Sequence, residues 1–171
     1  MKEYRHHKLS PEINARIDEF QSSLPGGYVD VIGLAESFGL KVYRSNLSIE
    51  ISGAIYKDGN DYVICSNKQE PKTRRRFTYA HEFAHYLLHR DDIGDGINEN
   101  TLFRSSLSND KEVEANKLAA DILMPMPVID KLVAEERHNV VEIAEIFGVS
   151  LSALLVRLGI PEGHMLGGSE S

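Results

Sequence analysis

Apolar residues recur at helical spacing near the start of the chain. Ile13, Ile17, Phe20 and Leu24 repeat every three or four positions, which predicts an amphipathic helix over residues 11–23. Ser10-Pro11 supplies an N-cap and a first-turn proline, and Leu24-Pro25-Gly26-Gly27 ends the element. Val31, Leu34, Ala35 and Phe38 predict a second short helix, capped by Asp30 and closed by Gly39. β-Rich segments follow at Leu40–Arg44, Gly53–Lys57 and Asp61–Cys65, with Asp58-Gly59-Asn60 as a hairpin turn between the last two. They predict a small three-stranded antiparallel sheet, with an edge that could accept an extended peptide.

No Gly or Pro interrupts Thr73 to Arg90, so this run predicts one helix of about five turns. Residues 110–124 predict another helix, ending before Pro125. Pro125 and Pro127 open a further one over Val128–Arg137. Val140–Leu158 reads as helix, turn at Gly148, and a helix capped by Ser150, a helix-turn-helix pattern. The polar stretch Asp91–Asp110 is expected to be a functional or partly mobile loop and a candidate wall of a cleft, with Leu102, Phe103 and Leu107 as anchors or a short strand. The expected organisation is an N-terminal helix and turn (1–27), a core (28–125), a C-terminal helical segment (126–160) and a flexible tail (161–171).

At 171 residues such a chain buries roughly 70% of its unfolded surface and needs no disulfide. The single Cys65 excludes an internal one and is expected to be a small core residue. No apolar run is long enough to span a membrane and Met1–Ser10 lacks a secretory h-region, so a reducing cytoplasm is the expected location. The net charge of -7 argues against broad nucleic-acid binding. Leu151–Leu158 offers only Arg157 for phosphates or base edges, so the helix-turn-helix segment is expected to pack rather than read DNA. Arg74, Arg75 and Arg76 are expected to form a solvated helix face or to pair with acidic neighbours, rather than to bind phosphate.

The chemistry lies in His81-Glu82-Phe83-Ala84-His85. Four residues apart on a helix, His81 and His85 can aim two imidazoles at one point. Zinc accepts imidazole nitrogen, and a catalytic site keeps one position for water, whose proton Glu82 can take. His89 continues the stripe but lies about 12 Å from His81 along a straight helix, too far to share one ion. It is expected instead to be a cation near the helix C-terminus.

The third ligand must therefore come from another segment. Glu112, Ala115, Ala119 and Ile122 share one helix face, and the alanines permit close approach to the histidine helix. Glu112 is the preferred ligand. Glu114, on a more solvated side, is the fallback. A capping box, Asn109-x-x-Glu112, is the competing role for Glu112. Asn116, one turn on, could hold a ligating imidazole from behind. Tyr79, His138 and His164 are candidate oxyanion donors.

Arg76-Phe77-Thr78-x-Ala80-His81-Glu82-x-x-His85, then Glu112-x-x-Ala115-Asn116 and Leu123-Met124-Pro125, resembles the ImmA/IrrE family of zinc metallopeptidases. Ser52-Gly53 and the hairpin are similar to that family's layout, and the resemblance covers about residues 28–160. Phe83-Ala84 stands where many relatives have Leu-Gly. The resemblance implies an α+β, mostly helical zincin-like core with a short sheet and the helix-turn-helix-like segment. It implies Zn2+ held by His81, His85 and Glu112, with Glu82 as the base. It also implies an endopeptidase that cuts a helix-turn-helix (Xre-type) repressor and derepresses mobile-element or stress-response genes. The alternative is a metal-containing binding protein without turnover, one half of a toxin–antitoxin-like pair.

Overall fold

The computed structural model describes residues 8–96, 108–135 and 138–161. In chain order they form α1 (Pro11–Ser23), α2 (Val31–Ser37), β1 (Lys41–Ser45), β2 (Gly53–Asp58), β3 (Asp61–Asn67), α3 (Lys72–Leu88), α4 (Asn109–Leu123), α5 (Met126–Ala134), α6 (Val140–Phe147) and α7 (Leu151–Leu158). The predicted caps form: Ser10 accepts from the Ile13 amide, Asp30 from Gly33 and Ser150 from Ala153. Gly148 closes α6 in the left-handed region at φ 64°. Leu102, Phe103, Leu107 and His164 lie outside the described residues, as does most of the expected tail.

The sheet is mixed, not antiparallel as the strand pattern predicted. Its order is β1-β3-β2, with β1 parallel and β2 antiparallel to β3. Burial explains the order. Val63 to Asn67 of β3 are all buried, so this strand takes the centre and is paired on both edges, while β1 and β2 stay partly exposed. The chain between β1 and β2 cannot then be a simple turn. The buried Asn67 side chain holds it, donating to the carbonyls of Ser48 and Ile51, both at 3.0 Å.

α3 is central. It packs against α4, against β2 and β3, and against α2. Ala80 and Ala84 on α3 and Ala115 and Ala119 on α4 are fully buried, so two backbones meet with little side chain between them. Phe83 anchors the apolar side and meets Phe38 edge-on at 5.3 Å between ring centroids. Gly53 lets β2 run close over α3, because a Cβ there would stand 2.3 Å from Thr78 Cγ2.

Arg76 departs from the solvated face expected of it. Only 6% exposed, it donates to the carbonyls of Val29 (2.7 Å) and Phe147 (3.3 Å) and stacks on Tyr28. It thus ties α6 to the core. Arg157 does the same for α7, pairing with Asp121 at 2.6 Å and donating to the Met124 carbonyl. The lone arginine of the second helix of the pair is therefore turned toward the protein.

Candidate metal centre

The close packing of α3 on α4 brings three side chains together. His81 Nε2 and His85 Nε2 are 3.0 Å apart. Glu112 places Oε2 3.2 Å from His81 Nε2 and Oε1 3.3 Å from His85 Nε2. Glu112 is not a cap: Ser108 takes the N-cap position, with Asn109 already inside the helix, and no side-chain cap bond forms.

This triangle fits a metal ion. Tetrahedral zinc with bonds of about 2.0–2.1 Å separates its ligand atoms by about 3.3 Å, close to the spacings found. Glu112 Oε1 is buried without a hydrogen-bond partner, a costly state for a carboxylate oxygen unless a cation meets it. Burial lowers the affinity of both imidazoles for a second proton, with His85 brought down to about 3 by burial and by its neighbours His81 and His89. Both rings are then neutral and have a lone pair to offer.

Glu82 lies beside the group, in a cleft of about 340 Å³ that Ile51, Ser52, Gly53, Phe77, Thr78 and Asn116 also line. Burial, and then the Glu112 carboxylate, push Glu82 up to about 8. A bound dication would act in the opposite direction. Of the candidate oxyanion donors, Tyr79 is buried, accepts from the Ser66 hydroxyl at 2.7 Å and lines a different hollow beside Tyr28 and Arg75. His138 stands next to Glu142 at the start of α6.

Behind the histidines lie two sets of partners. His81 Nδ1 is 2.9 Å from Asn116 Oδ1. His85 Nδ1 is 3.0 Å from His89 Nδ1, whose Nε2 is 3.2 Å from Glu114 Oε2, and Glu114 pairs in turn with Lys8. His89 lies at the C-terminal end of α3, as its position predicts, and is 7% exposed with both ring nitrogens engaged. Sequence reasoning missed the contact between His89 and Glu114. The local half of the arrangement did have a signal: the stripe His81, His85, His89 places a third ring beside His85.

The cleft meets the outer edge of the sheet. Lys57 turns its amide and carbonyl away from β3, to Gly94 (2.9 Å) and Gly96 (2.8 Å). By strand alternation, Gly53 and Ile55 turn theirs the same way.

A His-Glu-x-x-His helix against a carboxylate-bearing helix has the arrangement of a metallopeptidase metal site. Residues 35–159 match the peptidase family described as the IrrE N-terminal-like domain, and the chain belongs to that family. A comparison with curated proteins found no significant match. Among solved structures, the chain is similar to a Mycobacterium tuberculosis transcriptional regulator, with TM-score 0.58 and 20% identity over 90% of this chain. The chain spans about half of that protein, 48% of its length. No helix among the described residues is long and apolar enough to cross a membrane.

Proposed function

We propose that this chain is a zinc-dependent endopeptidase that cuts a helix-turn-helix transcriptional repressor. The observation that carries the reading is the His81–His85–Glu112 triangle, with Glu82 beside it in an open cleft. The two imidazoles and the carboxylate would hold the ion. When bound, zinc supplies Lewis acidity to a peptide carbonyl and makes water more acidic. Glu82 takes the proton from the attacking water and returns it to the departing amine nitrogen, which completes hydrolysis. The Gly53 and Ile55 backbone receives the substrate as an added strand, leading it past Glu82. Ile51 and Phe77 give that path an apolar lining.

Preference for a repressor rests on the resemblance of the motifs to the ImmA/IrrE family. The test is co-expression with a helix-turn-helix (Xre-type) regulator from the same genome, for wild type and Glu82→Gln, read by intact mass. Cleavage by wild type alone is expected. A partner left whole by protein carrying one zinc per chain would overturn the cleavage reading and favour binding without turnover.

A further inference from the structure

We propose that His89 and Glu114 are positioning residues for the metal centre, which fix the His85 ring with its hydrogen on Nδ1 and its lone pair on Nε2. This rests on the metal-site reading above. His89 follows His85 by one turn of α3, and the two Nδ1 atoms face each other at 3.0 Å. Of two facing imidazole nitrogens, one must donate and the other accept. The far nitrogen of His89 decides which. It stands 3.2 Å from Glu114 Oε2, and an ionised carboxylate only accepts. In a neutral His89 the hydrogen therefore sits on Nε2, and its Nδ1 is left as an acceptor.

His85 must then donate from Nδ1. Its bare Nε2 faces His81 Nε2 and Glu112 Oε1, at 3.0 and 3.3 Å. Lys8 holds Glu114 from the other side and keeps the carboxylate turned to His89. Donation thus runs outward from His85 Nδ1 through His89 to the Glu114 carboxylate on α4. Each ligating imidazole thus has its own acceptor behind it, but of different kinds: a neutral amide for His81 and a carboxylate-backed imidazole for His85. Such partners fix ring orientation and raise ligand basicity.

The experiment compares wild type with His89→Ala, His89→Asn and Glu114→Ala. Zinc affinity is measured by competition with a chromophoric chelator. The His85 tautomer is read in metal-free protein from long-range proton–nitrogen NMR. Wild type should show His85 protonated on Nδ1. His89→Ala should weaken zinc binding by about 10–100-fold, and Glu114→Ala should act in the same direction but less. His89→Asn, whose amide oxygen can accept near the lost Nδ1, should recover most of the affinity. Zinc affinity of His89→Ala within twofold of wild type, with the His85 tautomer unchanged, would overturn the proposal. If wild type takes no zinc, the metal-site reading fails, and the tautomer measurement still decides the role of His89. If His89→Ala does not fold, the partly exposed Glu114 carries the same test.

Discussion

His81 Nδ1 lies 2.9 Å from Asn116 Oδ1, and this contact joins the two helices that carry His81, His85 and Glu112. The amide oxygen accepts the ring hydrogen and leaves Nε2 free to face Glu112. Asn116→Ala should therefore retain the fold and weaken zinc binding by about 10–100-fold, as measured by chelator competition. Unchanged affinity would remove Asn116 from the site.

The separation of α3 and α4 is set by alanines. Ala119 is fully buried, and a larger side chain there must push the helices apart. Ala119→Leu is expected to cost about 1–3 kcal/mol in urea unfolding. It should also weaken zinc binding, because Glu112 rides on the displaced helix. A stability loss with full zinc affinity would show that the site tolerates the shift.

Arg76 joins the loop before α2, the end of α6 and the Tyr28 ring. Arg76→Met keeps much of the buried stem but leaves the Val29 and Phe147 carbonyls unpaired. A loss of about 2–3 kcal/mol is expected in chemical denaturation, from the desolvated carbonyls. A loss under half that size would mean that water replaces the guanidinium.

Cys65 is 1% exposed, and burial, then the Glu82 charge, push its thiol up from 9.0 to about 11. Between those values the unfolded chain releases a proton that the folded chain keeps. Stability should thus fall as pH rises from about 9 to about 11, and Cys65→Ala should flatten that part of the curve. Below pH 9 this contribution is fully present, and a thiol reagent at pH 8 should label Cys65 only after unfolding. Rapid labelling of native protein would contradict the buried strand position.

The grouping of His81, His85 and Glu112 was legible because its two spacings are local. His81 and His85 sit four apart on one helix, and Glu112 shares a face with Ala115 and Ala119 on another. Those facts do not depend on the rest of the fold. What the pattern did not reveal depends on distant partners. Arg76 meets the Phe147 carbonyl 71 residues away, and His89 meets Glu114 25 residues away. A run of arginines or a terminal histidine carries no mark of such neighbours. The parallel pairing of β1 with β3 was hidden for a similar reason, since side-chain alternation reports which face is buried but not the direction of the adjacent strand.

The pairing of Lys57 with the Gly94–Gly96 backbone acts as an end stop on the sheet edge. Between Gly53 and that stop lie only about four residues, or roughly 13 Å of strand. A chain docking there needs to be straight over that length and no longer. An interdomain tether meets the requirement while both of its flanking domains stay folded.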